Sequence, residues 1–270
     1  MLINKKQNGF TLIELMVIAP IVIIAVVGTI ALLINLIADN AVTNAENSAS
    51  AEVQSALNEI QNSLSSAQAF RVAPGSSFTA PPTVTISDST QGTQYQNLAP
   101  NSTDPFRRMY IIGETYDQIA DGTNLSPAFI ADQPNSCSSA NRVSNKILPN
   151  NTVYFAKNQN ASKTTLYRRV LHATTSPTAT ICGGTPLTIR SCEATNNTTA
   201  CDQDDVIATD VVKFQPTYYL ANGDAIAPLS LTAATIANAT AVKIELVIKR
   251  SIGGKDITYR GSTRFDLLNQ

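Results

Sequence analysis

The chain has no tryptophan and a single histidine, His172, and only 14% of its 270 residues are charged. A lone histidine acting as general base would need a nucleophile beside it, and no phosphate loop, G-x-S-x-G or H-E-x-x-H pattern supplies one. His172 is therefore read as a solvent-side residue at a strand end, and no catalytic residue or enzymatic activity is expected. Bases number 19 against 20 acids, a net charge of -1. With no basic excess to displace counterions, nucleic acid is not an expected partner. The cysteines include no C-x-x-C, and one histidine does not complete a zinc set. Asp202, Asp204 and Asp205 lack the glycine and distal glutamate of a calcium loop, so they read as a solvated acidic turn. No metal site and no cofactor is expected.

What the sequence does have is one long apolar run, residues 10–37, entered through Gly9-Phe10 and preceded by Lys5 and Lys6. At helical rise it measures about 42 Å, more than the roughly 30 Å hydrocarbon core of a bilayer. The next basic residue is Arg71. The positive-inside rule thus places the N-terminus in the cytoplasm and everything after Ile37 outside. A secretory signal is cut after its apolar run, at small residues, whereas here the break from polar to apolar falls before the run. Cutting at Gly9-Phe10 leaves the anchor on the mature chain. Inside the run stands Glu14, a carboxylate whose burial in lipid costs roughly 2.5 to 3.5 kcal/mol and which therefore requires a partner. Pro20 removes one helical hydrogen bond, which membrane helices tolerate as a kink.

All four cysteines, Cys137, Cys182, Cys192 and Cys201, lie beyond the apolar run. An even count in an exported segment implies two disulfides. Three pairings are open; Cys137 with Cys182 and Cys192 with Cys201 is the one preferred.

Beyond the anchor, Val42, Ala45, Ala49, Val53, Leu57, Ile60, Leu64 and Ala67 recur at three- and four-residue steps between polar residues, the period of an amphipathic helix. The helix is expected to run to about Phe70 and to end at Pro74-Gly75. Residues 72–151 read as loops with short strands around 83–86 and 108–112. Later segments are clearer. Residues 152–157 and 164–171 form a hairpin pattern, residues 210–220 a strand ending at Asn222-Gly223-Asp224, and residues 242–249 alternate strictly before Gly253-Gly254 turns them into 256–265. The fold class is α+β: a long N-terminal helix, transmembrane then amphipathic, packed on an antiparallel β-sheet head. The paired bases Arg107-Arg108, Arg168-Arg169 and Lys249-Arg250 read as strand-edge charge against aberrant pairing. Asn150 is among several asparagines in N-x-S/T contexts, matches that an Asn- and Thr-rich chain produces by chance.

The segment Lys5-Lys6-Gln7-Asn8-Gly9-Phe10-Thr11-Leu12-Ile13-Glu14 closely resembles the class III signal of type IV pilins and type II secretion pseudopilins. The resemblance implies a leader, residues 1–9, removed after Gly9 by a prepilin peptidase, with methylation of Phe10. It also implies a transmembrane and assembly half at 10–37, an amphipathic half at 38–70 and an extracytoplasmic head at 71–270. Glu14 would then neutralise the N-terminal amine of a neighbouring subunit. The implied partners are other pilin subunits, the peptidase, an inner-membrane assembly platform and lipid. Before assembly the chain would cross the cytoplasmic membrane once, and afterwards it would belong to a cell-surface or periplasm-spanning filament. The chain departs from the common pattern in placing its helix proline at position 20 rather than near 31, and in lacking a terminal cysteine pair. The order of its head segments resembles larger minor pilins and J-type minor pseudopilins, which favours an accessory over a major subunit. The rival reading is a membrane-anchored extracytoplasmic adhesin or binding protein outside any filament.

Overall fold

The computed structural model describes residues 12–71, 108–116, 118–121, 124–127, 129–131, 146–147, 149–160, 163–172, 180–182, 191–192 and 202–267, with side chains for 12–13, 15–71, 108–115, 150–157, 164–171, 191 and 203–267. Helix α1 (Leu12–Ser65) is continuous through Pro20. Hydroxyls along it bond back to the helix: Thr29 Oγ1 donates to the Ala25 carbonyl at 2.8 Å and Thr43 Oγ1 to the Asp39 carbonyl at 2.9 Å.

The helix ends five residues before Phe70, which corrects the expected boundary. Ser65 and Ser66 donate to the Asn62 and Ser63 carbonyls and the Ala67 amide donates to the Leu64 carbonyl, so carbonyls of the last turn are satisfied locally. The chain then becomes strand β1 (Ala69–Arg71), paired antiparallel to β2 (Tyr110–Tyr116). Phe70 stays in the core from this strand, meeting Tyr218 edge-on with ring centroids 5.3 Å apart. The expected Pro74-Gly75 stop and a strand at 83–86 lie outside the described residues.

Two larger sheets carry the head. One has the order β1-β2-β7-β8-β12, with β7 (Pro149–Asn160), β8 (Lys163–His172) and β12 (Asp205–Ala208), antiparallel throughout. The other is a meander, β13 (Val211–Leu220), β14 (Ala239–Ile252) and β15 (Lys255–Asp266). Smaller pieces join β3 (Gln118–Asp121) to β4 (Asn124–Pro127), and set β5 (Phe129–Ala131) between β6 (Lys146–Ile147) and β9 (Thr180–Cys182). A parallel pair, β10 (Ser191–Cys192) with β11 (Asp202–Gln203), is the exception to antiparallel pairing among the described residues. A 3-10 turn (Pro228–Ser230) and α2 (Ala233–Ala237) link β13 to β14.

The turns follow their residues. Gly253 and Gly254, at φ +58° and +80°, form the two-residue connection between Ile252 and Lys255 that matches strand twist. Gly223, at φ +87°, serves the Asn222-Gly223-Asp224 turn, where Asn222 Oδ1 accepts from the Asp224 amide at 3.0 Å. The 152–157 and 164–171 hairpin is present as β7 and β8, and the strand expected at 108–112 begins two residues later, at Tyr110.

Among the described residues the expected antiparallel sheet is divided, and its two larger parts bury two apolar cores. Beneath α1, its stripe meets Ile111, Tyr154 and Leu166 of the first sheet and Phe214, Ile244, Leu246 and Phe265 of the second. The far face of the first sheet buries Tyr110, Ile112, Val153, Phe155 and Leu171. Both faces of that sheet are apolar, which weakened its period-two signal in the sequence.

Candidate functional site

The candidate site is the helix itself, read from its N-terminal end. From Leu12 to Ile37 the large apolar side chains lie exposed, Leu12 at 76% and Ile37 at 68% among them. Between Leu15 and Ala38 no side chain carries charge, about 36 Å of helix at 1.5 Å per residue. This single apolar helix is compatible with a single-pass membrane anchor. Exposed contiguous apolar surface on this scale requires cover by lipid or protein.

Burial begins at Ala45 and follows the expected stripe: Ala49, Val53, Leu57, Ile60, Leu64 and Ala67 are buried, with Ala56 added and Val42 half-buried. Two glycines let the helix lie close. A Cβ on Gly261 of β15 would stand 2.5 Å from Val53 Cγ1 and 2.9 Å from Leu57 Cδ1, and one on Gly113 of β2 2.5 Å from Leu64 Cδ2. Each glycine therefore sits where strand backbone meets the helix.

Polar latches flank the stripe. Arg250 of β14 pairs with Glu52 of the helix and with Asp210 at 3.2 Å, while Glu52 Oε1 accepts from the Thr209 amide at 2.6 Å and its hydroxyl at 3.1 Å. Asp210, at φ 55°, turns the chain from β12 into β13, a left-handed conformation that aspartate tolerates. Two helical turns on, Glu59 meets Arg168 of β8 at 2.9 Å, and Arg168 also holds Asp205 of β12 at 2.6 Å. Desolvation opposes the Arg168 charge, but the bond to Asp205 and the fields of its acidic neighbours outweigh it and raise its pKa above the ordinary value. Thr263 donates to Gln61 at 2.7 Å, and hydrogen bonds from Ser50 and Gln54 lower the Tyr259 hydroxyl. Burial pushes Tyr154, under the helix, up to about 12.

These contacts correct two sequence readings. Arg168 and Arg169 lie on β8, an interior strand, and Arg250 lies on β14, also interior; none guards an edge. Asp204 is not a solvated turn residue. It is 6% exposed, paired with Arg169, and accepts from Ser191 Oγ at 3.0 Å, while Ser191 Oγ accepts from the Val170 amide at 2.9 Å. Asn150, by contrast, agrees with the reading of its N-x-T context as a chance match: it is buried in β7 at 1% exposure and cannot carry a glycan in this fold.

Of the residues expected to carry function, Lys5, Lys6, Gly9 and Phe10 precede the described residues, and Glu14 falls in the first turn of α1 with its side chain outside them. Cys182 ends β9 opposite Phe129, and Cys192 ends β10 opposite Gln203. The side chains of both, and Cys137 and Cys201 entirely, are outside the described residues. His172 is the last residue of β8, the strand end expected. Among the described residues no group of three or more metal-ligating side chains converges. The latch residues were not anticipated; the seven-residue step between Glu52 and Glu59, which keeps both on one flank of the stripe, was the available signal.

The arrangement defines an α+β protein in which one helix serves at its start as an apolar shaft and at its end as the spine of a β-rich head. Compared with family models, curated proteins and solved structures, the chain finds no match.

Proposed function

We propose that this chain is a structural subunit of a type IV pilus-like filament: membrane-inserted, cut after Gly9, methylated on Phe10, and polymerised through its N-terminal helix. The observation that carries the reading is the division of α1 into an uncovered apolar half and a half locked into the head. A subunit built this way offers its shaft first to lipid and then to the shafts of neighbours, while the head stays outside. An accessory rather than a major subunit suits the large cysteine-bearing head. The role is structural, with other subunits, the prepilin peptidase and an inner-membrane platform as partners.

Glu14 would meet the Phe10 amine of a neighbour, two charges desolvated together within a helix bundle. Glu14→Leu should insert as well as the parent, because it removes an intramembrane charge. Cleavage after Gly9 should persist while incorporation into filaments falls sharply. Fractionation of membranes against sheared filaments, with mass spectrometry of the mature N-terminus, reads all three. Normal incorporation of Glu14→Leu would sink the charge-pair role, and an intact leader on mature protein would favour an anchored binding protein instead.

A further inference from the structure

A partly enclosed cavity of about 280 Å³ opens between the start of β2 and the strand β13, away from the helix latches. Its walls are apolar: Met109, Phe214, Leu231 and Ile236 contribute from β2's approach, from β13, from the link after the 3-10 turn and from α2. The volume is about twice the roughly 150 Å³ of an apolar cavity that accepts benzene. It suits a substituted aromatic ring or a short branched chain.

The polar groups of this cavity are one-sided. Arg108 lines it, and its Nε is buried with no hydrogen-bond acceptor among the described residues. The other lining cation, Lys213, is already held by Glu245 at 2.8 Å. Among the described residues no acidic side chain lines the cavity. A guanidinium nitrogen withdrawn from water without an acceptor is costly, and an anionic oxygen placed there would form a charge-assisted bond. Among the described residues β13 is the edge of its sheet, yet Pro216 within it has no N–H to offer an incoming strand, which favours a compact ligand over a peptide added to the edge.

We infer that this cavity binds a small organic anion, an apolar body of ring size carrying a carboxylate that bonds Arg108. The site is independent of filament assembly, since no residue of α1 is among its described lining. Its occupant gives the head a recognition function beyond its structural one.

The test uses the full chain in nanodiscs of a zwitterionic phospholipid, with para-trifluoromethylbenzoate followed by fluorine NMR and para-trifluoromethylbenzamide as its neutral counterpart. The benzoate should bind saturably, and at least about tenfold more tightly than the amide. Arg108→Gln should bring the benzoate down to the amide's affinity, whereas Arg108→Lys should retain part of the difference. Leu231→Trp, which fills the cavity, should abolish binding of both. Circular dichroism establishes that each variant is folded. Binding no greater than to empty nanodiscs, equal affinity for acid and amide, or benzoate binding that survives Leu231→Trp would overturn the assignment.

Discussion

Asp204 shows how much a single side chain's surroundings matter in this head. Its carboxylate and the Arg169 guanidinium are 5% and 4% exposed, and Arg169 also lies 5.3 Å from the Phe155 ring centre. Such a pair contributes little net stability over an apolar pair of the same shape, but removing one member strands the other in the interior. Asp204→Ala should therefore destabilise the chain by about 3 to 5 kcal/mol. Urea unfolding followed by circular dichroism measures this, and a loss within about 0.5 kcal/mol, as at an ordinary surface site, would contradict the buried-pair account. Glu52 is different in kind, because it binds both a charge and a backbone amide. Glu52→Gln should cost less than Glu52→Ala, since the amide oxygen can still accept from Thr209. In a double-mutant cycle with Arg250→Met, the coupling should be on the order of 1 kcal/mol for a partly exposed pair. Additivity of the two single changes would mean that the latch carries no energy.

At the scale of elements, α1 is one helix with two environments and no interruption. Its apolar half depends on nothing in the head, whereas its second half is held by shape as much as by charge. The test of shape is Gly261, where even a methyl group meets Val53 and Leu57 inside contact distance. Val53 is β-branched and stiff in a helix, so it yields poorly. Gly261→Ala should cost about 1 to 3 kcal/mol as overpacking, and a compensating Val53→Ala should recover part of it. The pair of thermal unfolding curves decides the matter: an Ala variant as stable as the parent would mean that the helix does not sit on β15 this closely. By contrast, glycine at position 28 faces open space, and its replacement by alanine should leave the head's stability unchanged.

The whole molecule is separable at about Ile37. A chain beginning after that residue loses the uncovered apolar surface and keeps the buried stripe from Ala45 to Ala67, so it should be soluble and monomeric by size-exclusion chromatography. Removing residues through Ser65 should instead expose the helix-facing sides of both sheets and give aggregates. If the second form were as soluble and cooperative as the first, the helix would not be the spine of the core. The uncovered apolar half and the head thus meet different demands, one for cover from outside the chain and one from internal packing.

Much of this was decided locally and could be read without tertiary information. The apolar run, its basic flank, the stripe from Ala45 to Ala67, the Gly253-Gly254 turn and the alternation of β14 each depend on residue type and short-range period alone. So did the α+β class, because a long amphipathic helix and alternating strands must cover one another. What the tertiary structure decided was pairing across distance. Ser65 and Ser66 ended the helix early because β2 was there to receive β1. The two arginines of β8 read as edge charge until Glu59, Asp204 and Asp205, 35 to 109 positions away by chain, arrived beside them. The division into two sheets was equally hidden, since a strand buried on both faces loses the alternation that marks a face. Sequence patterns report whether a position is buried, but the partner that satisfies a buried charge, and the backbone that approaches a glycine, are settled only when the chain closes on itself.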